Sequence, residues 1–274
     1  MSGLIACAVS PHIPRIAIEE KAPEFQRGMI EGMKEMGAAI RAIKPDVIVL
    51  VSAHWMCTFN WYVNCHPRHQ GHSVADEAPD LVPGLPYDYA GDPLFGQALV
   101  EAVAKKDVPI FANTCEHYKW DYGCYVPLHY LDPEGEIPTV QMPSVLAASL
   151  QEADTVGRAV DEAARATGRR AVLVASTALA HQVARGPALW PSDDQIAADR
   201  EFTGRLLAGD LDAIQAGFPA YCKRVYAEMG GRPLATLLGG AAALKGRAGT
   251  LSGRQFGPYT QSSGSGNASL LVTP

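Results

Sequence analysis

The sequence lacks the features that mark several large classes of protein. It has no run of Lys and Arg that could form a concentrated basic face, and its formal net charge is −6, so we expect no nucleic-acid partner. No stretch approaches the roughly 18 consecutive apolar residues of a membrane helix. The N-terminus has no basic leader followed by a long apolar segment. We therefore expect neither a membrane partner nor a signal peptide.

Closely spaced cysteine pairs are also missing. The six cysteines are scattered along the chain, and none forms a Cys-x-x-Cys pair, which argues against a zinc knuckle. Thiols that stay reduced are typical of the cytoplasm, so we expect a cytoplasmic protein. We also find no internal repeat of fixed period.

Composition and patterning predict one α/β domain over residues 1–274. The chain has 274 residues, 47% apolar and 19% charged, which is the balance of an ordinary globular protein. Short apolar runs alternate with helical patterns, so we expect a central, mainly parallel or mixed sheet flanked by helices. The predicted strands are residues 4–9, 47–51, 61–65, 108–112, 137–142 and 171–175. The predicted helices are residues 25–43, 94–104 and 153–166, with a mostly helical region over 193–244, and the Pro-rich segment 78–93 is predicted to be a long irregular loop.

Three predicted strands lead through similar short motifs to a histidine. The motifs are Ser10-Pro11-His12, Ser52-Ala53-His54 and Ser176-Thr177-Ala178-Leu179-Ala180-His181. In open α/β sheets the ligand crevice lies beyond the carboxyl ends of the strands, so three such histidines can converge on one site. A lone histidine after a strand is more often a capping or hydrogen-bonding residue, and that alternative stays open for each of them.

Two neutral imidazoles in one place suit iron, zinc or copper. Two histidines and one carboxylate on one face of the metal are typical of iron(II) oxygenases, because three coordination positions stay free for the substrate and dioxygen. Spacing along the chain does not identify the carboxylate. The candidates are Asp76, Glu77, Asp80, Asp121, Glu201 and Glu228.

The three histidine motifs, in this order and spacing, resemble the signatures of the class III extradiol ring-cleavage dioxygenases. The resemblance extends from His12 to Asn267. It implies an iron(II) cofactor with His12, His54 and Glu228 as ligands. It also implies that His181 is the acid–base group, a role that suits an imidazole because it titrates near neutral pH.

One motif departs from the pattern of many members of this superfamily. Where they carry Asp-His-Gly, this chain has Asp121-Tyr122-Gly123, which resembles the aminophenol dioxygenases, as does Gly264-Ser265-Gly266-Asn267-Ala268. A phenol can form a hydrogen bond without carrying charge near neutral pH, so Tyr122 is predicted to contact the substrate or oxygen and to take part in catalysis. The alternative is an aromatic residue that only packs at the rim. The resemblance implies a catechol, 2-aminophenol or dihydroxypyridine type of ring.

Two further residues are candidate substrate contacts. His117 precedes the Asp-Tyr-Gly motif and can line the pocket. Arg185 follows His181 in a loop and is a suitable partner for an anionic substituent on the ring.

A second histidine cluster has spacing that suggests metal binding. His66, His69 and His72 recur at every third position, but Pro67 and Gly71 among them indicate a solvated loop. We therefore expect no second metal site there.

Two other functions stay open at this stage. Two histidines and a carboxylate also form a zinc hydrolase site, with His181 as its base. A non-catalytic binding protein could keep the same fold. For the dioxygenase, the expected partners are a small aromatic substrate, dioxygen, and either further copies of the chain or a second subunit, because several relatives associate in these ways.

Overall fold

The structure, a computed structural model, describes residues 2–274, which form ten β-strands and seven α-helices. The strands are β1 (Gly3–Ser10), β2 (Val47–Cys57), β3 (Trp61–Asn64), β4 (Arg68–Val74), β5 (Pro83–Ala90), β6 (Ile110–Asn113), β7 (Thr139–Val145), β8 (Arg170–Ser176), β9 (Ser252–Ser262) and β10 (Ser265–Thr273). The helices are α1 (Arg27–Ala42), α2 (Pro93–Ala104), α3 (Tyr122–Leu131), α4 (Leu150–Ala166), α5 (Asp193–Leu207), α6 (Leu211–Val225) and α7 (Arg232–Ala248).

A six-stranded sheet with the order β7-β2-β8-β1-β10-β9 forms the centre of the fold. Its first four strands run parallel, whereas β10 is antiparallel to both β1 and β9. Two smaller pairs lie outside it, a parallel pair of β3 and β6 and an antiparallel pair of β4 and β5. The predicted single α/β domain, with a mixed sheet flanked by helices, is confirmed.

The sheet has a hydrophobic core on each face because side chains alternate along a strand. In β2, Val47, Val49 and Val51 enter the core that contains α4 and α7. Ile48 and Leu50 enter the opposite core, which contains α1 and α3. All five side chains are fully buried. Strands buried on both faces read as continuous apolar runs, which is why the sequence identifies these strands well.

Every predicted strand and helix overlaps an observed one, but β2 continues beyond Val51. It pairs with β8 only as far as Ser52, and its pairing with β7 shifts register between Val51 and Met56. His54 therefore lies inside a strand, at an irregularity of the ladder, rather than after the strand's end. His54 still lies at the carboxyl end of the parallel strands, because the neighbouring strand β8 ends at Ser176.

The prediction of a long irregular loop over residues 78–93 is wrong. Pro83–Ala90 forms β5, which pairs with β4 as a hairpin. Among residues 2–274, β5 pairs with β4 alone, and prolines are tolerated in such an edge strand. The same hairpin corrects the loop expected around His69 and His72, since both residues belong to β4.

Two further parts of the fold were not predicted from the sequence. Helix α3 is buried on nearly all sides and contains Pro127, so it shows neither a polar face nor an uninterrupted helical pattern. The C-terminal hairpin of β9 and β10 lies in a segment rich in glycine and serine, residues that are typical of loops.

Candidate active site

The serines that precede the candidate histidines lie side by side on three neighbouring strands. Ser176, the last residue of β8, pairs in register with Ser10 of β1 on one side and with Ser52 of β2 on the other. His12 and His54 each follow their serine by two residues. The repeated serine–histidine spacing therefore places both imidazoles over the end of β8.

Glu228 arrives at this edge from a tight turn between α6 and α7. After it come three left-handed residues, Met229 (φ 50°), Gly230 (φ 65°) and Gly231 (φ 85°). Glycine adopts this conformation freely, whereas for Met229 it costs on the order of 1 kcal/mol. The carboxylate is 4% exposed, and its Oε2 accepts a hydrogen bond of 2.6 Å from the Ala178 N–H. That bond fixes the orientation of the carboxylate beside the strand ends.

The other carboxylate oxygen faces three imidazoles. Oε1 of Glu228 lies 3.2 Å from Nε2 of His12, 3.4 Å from Nε2 of His54 and 3.3 Å from Nε2 of His181. Within this cluster, His12 and Glu228 are 216 positions apart in the sequence. The structure thus brings all three candidate ligands and the candidate acid–base group to one place.

The donor set of His12, His54 and Glu228 fits a metal ion. One ligand atom from each lies within 4.8 Å of the others, and no second group of this kind exists among residues 2–274. The hydrogen bond of His12 to Ser176 uses Nδ1, so Nε2 is the ring nitrogen that faces the site. Ser176 donates its hydroxyl proton to the Gly123 carbonyl oxygen at 2.5 Å, so it must accept from Nδ1–H of His12 at 3.2 Å. Nε2 of His12 is then the nitrogen that could bind a metal, and without one it lies within hydrogen-bond distance of Oε1 of Glu228, at 3.2 Å.

Buried charges in the cluster shift several pKa values. Burial alone would raise the pKa of the Glu228 carboxyl group, but His12, His54 and His181 outweigh it and hold that pKa well below its usual value. Burial lowers the pKa of His54, yet Glu228 and other nearby carboxylates outweigh it and leave the pKa raised. The pKa of His181 is lowered, first by burial and then by the other two histidines, although Glu228 opposes the shift. These shifts favour the carboxylate form of Glu228 and the neutral form of His181.

His181 is held by its backbone while its ring stays partly open to the cavity. Its N–H donates to the Val225 carbonyl at 3.1 Å, and the residue forms a β-bridge with Ser265. The preceding N–H, of Ala180, donates to the carboxylate of Asp199 at 3.1 Å. Asp199 is buried, and burial raises its pKa to about 6. These contacts position an imidazole that is 31% exposed, as proton exchange with a bound molecule requires.

The Asp-Tyr-Gly motif supports His54 from the start of α3. Asp121 accepts a hydrogen bond of 2.7 Å from the Ser52 hydroxyl, which itself accepts from the His54 N–H at 3.1 Å. A side chain at Gly123 would place its Cβ 2.4 Å from the Ser52 oxygen, so only glycine fits there. The Tyr122 hydroxyl lies 2.7 Å from Nε2 of His54, and burial raises the pKa of this phenol.

A cavity of about 330 Å³ opens onto the cluster. Its wall includes His181, Tyr122 and one arginine, Arg15. His117 and Arg185, the other candidate substrate contacts, are exposed and do not line it. The arginine that lines this cavity is therefore Arg15, whereas the sequence suggested Arg185.

The remaining candidates from the sequence lie in other surroundings. Of the possible carboxylate ligands, only Glu228 reaches Nε2 of both His12 and His54. In the second histidine cluster, His69 is buried with Nε2 at 3.0 Å from the Thr139 carbonyl oxygen, and His72 is exposed. Burial lowers the pKa of His69 to about 4.

Sequence reasoning missed three residues that bear on the site. Ser176 was quoted only as part of a motif, although the serine shared by all three motifs was a usable signal. Arg15 and Asp199 gave no signal, because a single arginine near a turn and a single aspartate in a helix are usually solvated. The contacts of Asp199 with Tyr221 at 2.9 Å and Tyr259 at 2.6 Å depend on the packing of α6 and β9.

Comparison with known proteins agrees with this geometry. The family described as the catalytic LigB subunit of aromatic ring-opening dioxygenase matches residues 6–251. The 3,4-dihydroxyphenylacetate 2,3-dioxygenase of Escherichia coli is 24% identical over 186 residues, which cover 66% of this chain and 67% of that protein. The beta subunit of 2-aminophenol 1,6-dioxygenase from a Pseudomonas species is 27% identical over 194 residues, which cover 65% of this chain and 63% of the subunit.

Two more matches extend the comparison. The alpha subunit of the same Pseudomonas enzyme is 24% identical over 225 residues, which cover 76% of this chain and 78% of the subunit. The crystal structure of an uncharacterized protein from Escherichia coli K12 matches with a TM-score of 0.66 and 18% identity, covering 97% of this chain and 99% of that one. This structural match shows that the fold is shared.

The class of protein follows from these findings together. A family match over most of the chain, with a histidine–glutamate cluster at the edge of an α/β sheet, defines a ring-cleavage dioxygenase. The chain belongs to the LigB family of aromatic ring-opening dioxygenase catalytic subunits. Among residues 2–274, no helix combines the length and the apolar character that crossing a membrane requires.

Proposed function

We propose that this chain is an iron(II)-dependent extradiol dioxygenase that opens a catechol, 2-aminophenol or dihydroxypyridine type of ring with dioxygen. The observation that carries the proposal is the ligand set: one ligand atom each from His12, His54 and Glu228, within 4.8 Å of one another. Two histidines and one carboxylate on one face are the ligands of oxygenase iron(II) sites.

His12, His54 and Glu228 would hold the iron in this proposal. When bound, iron(II) supplies the Lewis-acid and redox chemistry that ground-state dioxygen and an aromatic ring need to react. The protein's part is to fix the ligands. The Ala178 N–H orients the carboxylate, and Ser176 sets the tautomer of His12.

His181 is the proposed acid–base group. Its lowered pKa favours a neutral imidazole near pH 7, which can accept the proton of a substrate hydroxyl and return a proton later. Its Nε2 lies 3.3 Å from the Glu228 carboxylate, so a proton gained there is stabilised by a negative charge. Tyr122 is the proposed second contact, and its raised pKa keeps the phenol neutral and able to donate a hydrogen bond to the substrate or to oxygen.

The cavity suggests how a substituent on the ring is bound. Arg15 lines it and forms no ion pair or hydrogen bond within the described part of the chain. Its guanidinium can pair with a carboxylate on the substrate. Arg185 and His117 lie outside the cavity wall and would contact substrate only at the rim.

The relatives also bear on partners and location. Two of them are named as the alpha and beta subunits of one enzyme. We propose that this chain likewise acts with a second subunit or as a homo-oligomer. The six cysteines are free thiols, which suits the proposed cytoplasmic location.

Oxygen uptake tests the proposed function. Protein loaded anaerobically with iron(II) should consume dioxygen when it is given catechol, 2-aminophenol or a dihydroxypyridine, and zinc-loaded protein should not. No uptake across this panel by protein that contains iron would reject the proposal. Hydrolytic activity that depends on zinc would favour a hydrolase, and a His181→Ala variant with unchanged function in cells would favour a binding protein.

A further inference from the structure

A second carboxylate, Glu77, lies against the outer nitrogen of His54. Its Oε1 is 3.3 Å from Nδ1 of His54, and its side chain is 55% exposed. On the other side of the ring, Nε2 is 3.4 Å from Oε1 of Glu228. The imidazole is therefore held between two carboxylates, one inside the site and one at its mouth.

This arrangement suits a metal-bound form of His54, in which one ring nitrogen binds the metal and the other carries the proton. A metal bound at Nε2 leaves the proton of the neutral ring on Nδ1, 3.3 Å from the negative charge of the Glu77 carboxylate. Without a metal, Nε2 of the same tautomer lies 2.7 Å from the Tyr122 hydroxyl, which can donate to it. Metal-binding histidines usually donate their second N–H to a carboxylate, a carbonyl or water, and this contact makes them better ligands.

We propose that Glu77 is a positioning residue for the metal site, which holds His54 as an Nε2 ligand and strengthens metal binding. The inference rests on the proposed function in assuming that His54 is a ligand. It assigns to Glu77 a role outside the coordination sphere, acting through His54.

The two candidate histidine ligands are held by different parts of the fold. Nδ1 of His12 contacts Ser176, which is fully buried at the end of a central strand. Nδ1 of His54 contacts Glu77, which lies in the turn 75–82 that joins β4 and β5. The His12 contact is therefore built into the sheet, whereas the His54 contact depends on where the tip of the hairpin lies.

The base of the hairpin is fixed, so its tip can place Glu77 reproducibly. Tyr87 of β5 stacks on Trp120 with ring centroids 4.5 Å apart, and its hydroxyl accepts from the Trp120 N–H at 3.0 Å. His69 of β4 contacts the Thr139 carbonyl oxygen at 3.0 Å. At the tip, Glu77 lines the cavity. Metal binding by His54 and the contact of Glu77 with His54 are then linked, and each favours the other.

Metal affinity tests the inference without relying on turnover. We would titrate zinc(II) against a chromophoric chelator for the wild type, Glu77→Ala, Glu77→Gln and a matched control, Asp80→Asn. Asp80 is an exposed acid of the same turn and does not line the cavity. Glu77→Ala should weaken zinc binding by about 10- to 100-fold. Glu77→Gln keeps an acceptor and should lose less, and Asp80→Asn should change affinity less than about twofold, as expected for an exposed charge that solvent and salt screen.

The same titration separates this inference from the proposed function. His12→Ala should abolish tight zinc binding, and unchanged affinity there would reject the metal site and the inference with it. If His12→Ala abolishes binding while Glu77→Ala stays within twofold of Asp80→Asn, only the role of Glu77 is overturned. Amide hydrogen exchange adds a second readout. Zinc should slow exchange over residues 75–82 in the wild type but not in Glu77→Ala, and equal slowing in both would contradict the link between metal and hairpin.

Discussion

The phenolic oxygen of Tyr122 lies 2.7 Å from Nε2 of His54, the same nitrogen that faces Glu228 at 3.4 Å. One lone pair cannot serve a tyrosine hydroxyl and a metal ion together. A metal at this site would therefore release the hydroxyl, which borders the cavity and can turn to a bound ring or to oxygen. Without a metal, Tyr122 thus occupies the nitrogen of His54 that a metal would bind, and with a metal its hydroxyl is free to contact the substrate.

Replacing Tyr122 by Phe should separate these two roles. Loss of the hydroxyl removes a competing hydrogen bond worth about 0.5–1.5 kcal/mol, so metal affinity should stay equal or rise by up to about tenfold. The KM for the aromatic substrate should rise, because a contact to the ring or to oxygen is lost. Metal titration and steady-state kinetics on the same preparation measure both effects. A tenfold weaker metal affinity would contradict this account of Tyr122.

Replacing His181 by Asn should affect turnover and spare the metal. A general acid–base group contributes about 100- to 10,000-fold, so kcat should fall by that order while iron affinity stays within a few-fold. His72→Asn, which changes an exposed histidine away from the cavity, is the matched control and should retain full activity. Loss of iron from His181→Asn would show instead that His181 is a ligand.

The pH profile should report the same group. As a base, His181 must be neutral, so kcat/KM should rise with pH through its pKa and then level off. That pKa is lowered from the usual 6.5, chiefly by burial, and a bound cation would lower it further. The rising limb should therefore be centred below pH 6.5 and be absent from the residual activity of His181→Asn. A limb centred well above pH 6.5 would contradict the assignment.

Arg15 should select substrates that carry a carboxylate. Arg15→Gln should raise the KM for 3,4-dihydroxyphenylacetate by about 10- to 100-fold, the range of a charge-assisted hydrogen bond. The KM for catechol, which has no carboxylate, should change less than about twofold. Arg185→Gln tests the cation outside the cavity wall. If Arg185→Gln shows the selective effect and Arg15→Gln does not, the substituent is bound at the rim.

Gly123→Ala should damage the support of His54. The added Cβ would lie 2.4 Å from the Ser52 oxygen and 2.7 Å from the Asp121 carboxylate oxygen, so these groups must move. We expect a loss of about 1–3 kcal/mol in the free energy of unfolding, together with weaker metal binding. Gly246→Ala in α7, where a Cβ meets open space, should be neutral or slightly stabilising. Thermal unfolding and metal titration of both variants check this, and equal stability of the two would count against it.

Features that depend on neighbouring residues in the sequence could be predicted, whereas features that depend on contacts between distant segments could not. Apolar strands buried on both faces, and histidines near the ends of their apolar runs, are encoded locally, so His12 and His54 could be predicted from position. Glu228 could be identified only by resemblance, because the turn that presents it depends on the packing of α6 and α7. The hairpin of β4 and β5 was missed because its prolines imitate a loop, and with it the contact between Glu77 and His54.

Oxygen uptake by Glu228→Ala, loaded anaerobically with iron(II) beside the wild type and Glu201→Ala, tests the central claim most directly. Glu201 is an exposed glutamate of α5, paired with Arg205 and not part of the cluster, so its variant controls for the loss of one carboxylate. The wild type and Glu201→Ala should consume dioxygen with catechol or 2-aminophenol. Glu228→Ala should lose about 100-fold or more of this uptake, since ligand loss removes the iron. Full uptake by Glu228→Ala would contradict the proposed iron site.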